Sequence, residues 1–362
     1  MELFESVPNF SEGRDLDVVS DIARAAGSAH LLDVDPDPDH HRAVISLLAA
    51  RDRLRDALLD AIGKAAERID LRDHAGLHPR VGAADVVPIV PMGDTSLDAC
   101  HDLAHELGER VWAELRIPVY FYGYREEWSL ADIRAGRAQP DLGGPDPHPT
   151  AGGVCVGARR LLVAFNVLLP GMGASEARAI ARSLRESDGG MRGVQALVFE
   201  LPGGRMQLSM NLFRVDETPP DAVVEELVRR GVEIGEQQVV GLCPAVGANA
   251  AAAGRILEAR IGSAVAGAAA TRVAADEEGR ALGRRLQAES AGLKALGPSQ
   301  EELLAGAERC AALPPVLQAA GVLDSELESI AQLAARGLRD AVSESTRSTY
   351  AARMAALDRR LD

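Results

Sequence analysis

Aromatic residues make up only 3% of this 362-residue chain. With 47% hydrophobic residues overall, the core must therefore be assembled mainly from Ala, Val and Leu. Positive charge is in deficit as well: 39 Lys and Arg face 54 Asp and Glu, a formal charge of −15 with a pI near 5.1. Such a surface repels phosphate backbones and anionic bilayers, which argues against nucleic acid and membrane as partners. An anionic ligand would have to be held by arginines placed locally, against the global field. No apolar run approaches the ~20 residues needed to span a bilayer, and the opening MELFESVPNF lacks the basic and apolar regions of a signal peptide. The four cysteines, Cys100, Cys155, Cys243 and Cys310, form no CxxC pair and read as reduced structural thiols of a cytoplasmic protein. Also missing are HExxH, GxGxxG, P-loop and GxSxG motifs, so the usual signatures of zinc proteases, nucleotide binders and serine hydrolases have no footing here.

What is present alternates. Strand signals at 3–7, 29–34, 42–48, 86–90 and 118–122 are interleaved with helical spacing at 16–26, 52–69 and 97–115. An Asp/Pro-rich turn is expected at 35–39. A Gly/Pro passage, 139–153, is too broken for a helix or a central strand and reads as a functional loop or a linker. Beyond it, 161–169, 195–201, 206–213 and 237–241 read as strands, with helices at 174–186 and 220–230. That is the strand–helix–strand–strand–helix–strand order of a split βαβ unit. From 248 onward the composition turns Ala-, Arg-, Glu- and Leu-rich and predicts several helices, with breaks at Gly297-Pro298, Pro314-Pro315 and Gly321. The expected domains are 1–162, 163–247 and a helical extension, 248–362.

The chemistry concentrates in residues 73–91, DHAGLHPRVGAADVVPIVP. The spacing of His74 and His78 suits a metal only on a helix, which Gly76 and Pro79 disfavour. His101 and His105 repeat that spacing without a neighbouring ligand motif and read more simply as a solvated helix face, so no metal is expected. His78 can serve as a general acid/base, because an imidazole titrates near neutrality; the bland alternative is a loop histidine bonded to backbone. Arg80, two residues on, would share a side with His78 in an extended segment and could pin a carboxylate. Asp35, at a strand end before His40, His41 and Arg42, is either a ligand contact or a turn cap. Gly157-Ala-Arg159-Arg160 could bind anions through backbone N–H groups, and no activated cysteine is evident.

Eight segments, in order, carry a family resemblance: SVPNFSEGR (6–14), LLDVDPDPDHHRAV (31–44), HAGLHPRVGAADVVPIVP (74–91), IPVYFYG (117–123), GPDPHPTAGGVCVGARRLLVAFNV (144–167), VQALVFEL (194–201), QLSMNL (207–212) and VVGLCP (239–244). Together they resemble the glutamate formiminotransferase family over residues 1–245, and weakly to about 305. The resemblance implies an α/β (α+β) fold of two subdomains whose sheets stack against each other, with a groove for folate and a homodimeric assembly. The implied reaction moves a formimino group from N-formimino-L-glutamate to N5 of tetrahydrofolate, a co-substrate, in histidine degradation and one-carbon metabolism. It places the catalytic role on His78; for that reaction Arg80 and Arg42 are the candidates for the glutamate carboxylates by charge-assisted bonds, and Asp35 for orienting His78 or binding the amidinium. Folate contacts fall on Gly143-Gly144-Pro145-Asp146-Pro147-His148-Pro149-Thr150-Ala151-Gly152. A related folate enzyme, using formiminoglycine or 5-formyltetrahydrofolate, and a non-catalytic folate-binding protein are the alternatives. His41 stands where the family usually has Asn, and Ser6 replaces its frequent Cys. The segment between Gly123 and Asp141 is short, and the folate loop lacks an aromatic residue. The tail lacks the Gly/Ser-rich opening of a cyclodeaminase, so a fused deaminase is not expected.

Overall fold

The structure, a computed structural model, describes residues 1–76 and 79–342. The chain divides into two compact units, the first ending at Leu161 and the second beginning at Leu162.

In the first unit, β1 (Leu3–Ser6) and β2 (Asn9–Phe10) occupy successive stretches of one strand position, interrupted at Val7-Pro8. Helix α1 (Leu16–Ala25) follows, then the hairpin β3 (His30–Asp37) and β4 (Arg42–Ala49), then α2 (Arg51–Arg68). After the 3-10 turn Leu71–Asp73 come β5 (Ala84–Met92), α3 (Leu97–Arg110), β6 (Val119–Gly123), α4 (Leu130–Arg134) and β7 (Val154–Ala158). The sheet runs β3, β4, the β1/β2 position, β5, β7, β6. Its β5–β7 and β7–β6 pairings are parallel and the remainder antiparallel.

Local sequence explains the helices. Asp15 caps α1 by accepting from the N–H of Asp17 and Val18, meeting two of the unpaired donors of the first turn. In α2 the buried Leu54, Ala57, Leu58, Ala61, Ile62 and Ala65 follow the i, i+3, i+4 pattern of one helical face. That face joins strand residues of alternate register, including Phe4, Ile45, Leu47, Val87, Ile89 and Val156, in one core shared with α1 and α3. Each fully buried Leu or Ile there contributes roughly 1.5–3 kcal/mol. The opposite register of β5, β6 and β7, with Val86, Tyr122 and Cys155, packs under Ile133, Ala138 and Trp128 of the α4 region. The core is aliphatic, as the shortage of rings requires.

The second unit has β8 (Val163–Leu169), α5 (Ala174–Leu184), β9 (Val194–Leu201), β10 (Arg205–Leu212), α6 (Pro220–Arg229) and β11 (Gln237–Val240). Its fully antiparallel sheet has the order β11-β8-β10-β9, the split βαβ arrangement expected. Helices α7 (Leu257–Ala270), α8 (Glu277–Lys294), α9 (Gln300–Ala319) and α10 (Ser325–Val342) follow. Close approach depends on small residues: a Cβ on Gly262 would drive into the Cys310 sulfur. The half-buried Glu258, its pKa raised by desolvation, accepts the Ala245 N–H at 2.8 Å just past the sheet.

Three local expectations change. Strand β3 continues through Asp35 to Asp37, so the turn falls at 38–41 rather than 35–39; ladder bonding to β4 overrides the local turn preference of Asp and Pro. Helix α9 continues through Pro314 and Pro315, which deprive the carbonyls of Cys310 and Ala311 of their intrahelical donors without ending the helix. Strand β7 was not anticipated. Its five residues follow Gly152-Gly153 and include Gly157, and only the parallel neighbours β5 and β6 reveal it as a strand between them.

Candidate functional site

The chain segments around β2, β3–β4, β5 and β7 converge at one end of the first sheet. Leaving β2, residues 11–14 reach this end; the β3–β4 turn brings His40, His41 and Arg42; the start of β5 brings Arg80 to Asp85; the start of β7 brings 148–153. Close backbone contacts seal the convergence. Ser11 Oγ donates to Gly82 O at 2.7 Å, Ala83 N to Ala151 O at 2.9 Å and Gly153 N to Val81 O at 3.0 Å. Gly82 and Gly152 bridge directly, and a Cβ on Gly82 would collide with the Gly153 carbonyl.

At the centre sits Asp85, fully buried at the start of β5. One carboxylate oxygen accepts the Val81 N–H at 2.6 Å; the other meets Arg42 Nη1 at 3.0 Å and Arg134 Nη2 at 2.9 Å. Burial alone would raise its pKa, but Arg42 and Arg134 hold it below the ordinary carboxylate range. Arg42 also donates to Asn9 Oδ1 at 2.8 Å. Desolvation, with Arg134 and Arg80 close by, pushes its pKa down to about 10 despite the Asp85 pairing. Arg80 is lowered too, by desolvation first and then by repulsion from Arg134 and Arg14. Two guanidinium groups thus pair with one buried carboxylate and a third, Arg80, lies close enough to repel them, a local concentration of positive charge in a protein of strongly negative charge. An incoming carboxylate would relieve that repulsion.

An imidazole layer lies beside the arginines. His41, with φ +51 in the left-handed region, stacks on His74 at 4.0 Å between ring centroids. Its Nδ1 lies 3.0 Å from Ala75 O and its Nε2 2.9 Å from Glu12 Oε1, so in the doubly protonated form it donates to both. Asn and His are among the residues that best tolerate a left-handed position. Glu12 also accepts from the N–H groups of Gly13, Arg14 and Asp15; desolvation would raise its pKa, but the Arg14 and Asp15 N–H groups and then His41 bring it down. His74 is pushed down to about 4, by desolvation first and then by Arg80 and His41. Neutral at physiological pH, it takes a hydrogen bond from Arg80 Nη1 on Nε2 at 2.5 Å, while Arg80 also reaches the His41 carbonyl at 3.5 Å.

The structure therefore brings Arg42 and Arg80 together with His74. Asp35, partly buried opposite Val44, belongs to the strand that ends at this cluster. His78 lies outside the described residues. The 143–152 loop is pinned at both ends. Val119 N donates to Leu142 O at 3.0 Å; at the far end Thr150 O accepts from Leu71 N at 2.9 Å. His148 Nδ1 accepts the Ala151 N–H at 3.1 Å, and Gly143 (φ +98) and Gly152 (φ +71) take left-handed turns. Its exposed stretch, Gly143 to Pro147, stands between these anchors. Asp85, Arg134, Glu12 and Asn9 were missed from sequence. Asp85 alone carried a signal, a charge inside an apolar strand, while Arg134 arrives from a short helix fifty residues away in the chain with none. His101 and His105 are not a solvated face: both turn toward Glu126. The four cysteines are free and buried, as expected; desolvation pushes Cys100 and Cys310 up to about 12 and raises Cys155 and Cys243 as well. No helix among the described residues is long and apolar enough to cross a membrane.

This end of the sheet is lined by arginines and edged by imidazoles. Residues 3–159 match the profile of the formiminotransferase domain, N-terminal subdomain. The chain is 40% identical over 270 residues to the glutamate formimidoyltransferase of Thermoplasma acidophilum, a match covering 67% of this chain and 89% of that protein. It is 34% identical to the glutamate formimidoyltransferase of Streptococcus pyogenes serotype M1, covering 67% of this chain and 90% of that protein. It is likewise 34% identical to the formimidoyltransferase-cyclodeaminase of Rattus norvegicus, covering 67% of this chain and half of that larger protein. The chain is a transferase and belongs to the formiminotransferase family.

Proposed function

We propose that this enzyme transfers the formimino group of N-formimino-L-glutamate to N5 of tetrahydrofolate, yielding 5-formiminotetrahydrofolate and glutamate, as a step of histidine degradation. The observation that carries the reading is the surplus of guanidinium charge around Asp85, joined through backbone bonds to the 143–152 loop. Both substrates are carboxylates, and both ends of the reaction must be held for one bond to form as another breaks. Arg80 and Arg42 supply charge for the glutamate carboxylates, Asp35 orients His78 or binds the amidinium, and the loop cradles folate.

Nitrogen N5 attacks the amidine carbon, forming the N5–C bond and a tetrahedral centre. His78 accepts the proton that N5 releases and returns one to the glutamate nitrogen, whose bond to carbon then breaks. General acid–base catalysis of this kind is worth roughly 10²–10⁴ in rate, and aligning two bound substrates supplies a further large share. A coupled assay with formiminoglutamate and tetrahydrofolate tests the reading, with formiminoglycine as the comparison donor. We expect turnover with formiminoglutamate and its loss, by roughly 10²-fold or more, in a folded His78→Ala protein. Full activity in that variant overturns the assignment of His78; preference for formiminoglycine overturns the donor.

A further inference from the structure

At the opposite end of the parallel strands, beyond the carboxyl ends of β5 and β6, a second cluster stands apart from the anion site. Helix α3 carries His101 and His105 one turn apart, ring centroids 4.4 Å from each other. Both Nε2 atoms point at one oxygen, Glu126 Oε1, at 3.1 and 2.7 Å. One ligand atom from each of the three residues falls within 4.8 Å of the others. Without a cation, a single carboxylate oxygen must accept from both rings; with one, all three groups present lone pairs to a shared centre.

The cluster is built rather than incidental. Phe121 stacks on His105 at 3.9 Å, and Tyr124 sits edge-on to His101. Glu126 follows a tight turn in which its N–H bonds Gly123 O at 3.2 Å and Arg125 takes φ +66. That turn is tied to the first turn of α3, where Asp98 accepts from Tyr124 at 3.0 Å and pairs with Arg125 at 2.9 Å. The His101 Nδ1 is buried without a hydrogen bond, and the Asp102 carboxylate stands 3.7 Å away, the place of an outer carboxylate that orients a metal-bound imidazole. His105 remains 37% exposed, leaving an approach for solvent as a fourth ligand.

We propose that His101, His105 and Glu126 form a site for a divalent transition metal, zinc by its two-nitrogen, one-carboxylate donor set. It would clip α3 to the connection between β6 and α4. Imidazole and carboxylate donors at this number suit Zn²⁺ rather than Mg²⁺ or Ca²⁺, which take all-oxygen shells. Chelator-treated full-length protein is titrated with Co²⁺, read by its visible ligand-field spectrum, and with Zn²⁺ by calorimetry and thermal unfolding. We expect one tightly held ion per chain, displacement of cobalt by zinc, and a zinc-dependent rise in the unfolding midpoint. Both effects should be lost in His105→Ala and Glu126→Gln, and affinity should weaken roughly tenfold in Asp102→Asn. Failure of the wild-type protein to bind stoichiometrically overturns the proposal, as does an unchanged cobalt spectrum in Glu126→Gln. Transferase activity is not the readout, so the outcome is independent of the proposed reaction.

Discussion

At the scale of single residues, the candidate site is governed by who shares Asp85. Asp85→Asn keeps the shape but leaves the Arg42 and Arg134 guanidiniums without their counter-charge in a buried setting. Breaking such a pair from one side costs about 3–5 kcal/mol. We expect a clear drop in the urea midpoint together with loss of transferase activity. His74 behaves differently. Its pKa is about 4 in the folded protein against 6.5 when unperturbed, through desolvation and the facing Arg80 and His41. Between those values the unfolded chain binds a proton that the folded chain does not, so this residue's contribution is fully present above pH ~6.5 and declines as pH falls toward 4. Thermal unfolding followed across that window should show a flatter pH dependence in His74→Asn, whose side-chain oxygen can still accept from Arg80.

Among elements, position in the sheet decides which loops meet. Strand β7 is short and preceded by two glycines, yet its parallel insertion between β5 and β6 delivers the 148–153 segment against 81–83. Gly82 makes that approach possible, since a Cβ there has no space against the Gly153 carbonyl. Gly82→Ala should separate the two segments, lower the melting temperature and raise KM for the folate substrate more than KM for a short formimino donor. Equal effects on both would mean that the loop does not serve folate. The helix-period and strand-period patterns were legible in advance for most elements because burial on one face imprints a period on the chain. β7, the placement of the β3–β4 turn and the passage of α9 through two prolines were not, because neighbouring strands and helices settle them.

For the molecule as a whole, four thiols in a chain poor in rings act as small apolar filler. All four are buried, and desolvation keeps them protonated. Titration with Ellman's reagent should find almost none reactive in the native protein and all four after denaturation; rapid labelling of any one of them in the native state would contradict its placement. The global charge of −15 and the arginine cluster are likewise a property of the whole and of a part: composition alone would reject anionic ligands, and only clustering reverses the sign locally.

Hydrophobic period, composition and a handful of collinear motifs were enough to set the α/β class, the split βαβ unit, the helical C-terminal stretch and the family, because these depend on neighbours close along the chain. The sharing of Asp85 by Arg42 and Arg134, the stacking of His41 on His74 and the meeting of His101, His105 and Glu126 rest on residues up to fifty positions apart. Such contacts exist only once strand order and register have brought those segments together, and no local pattern in the chain encodes them.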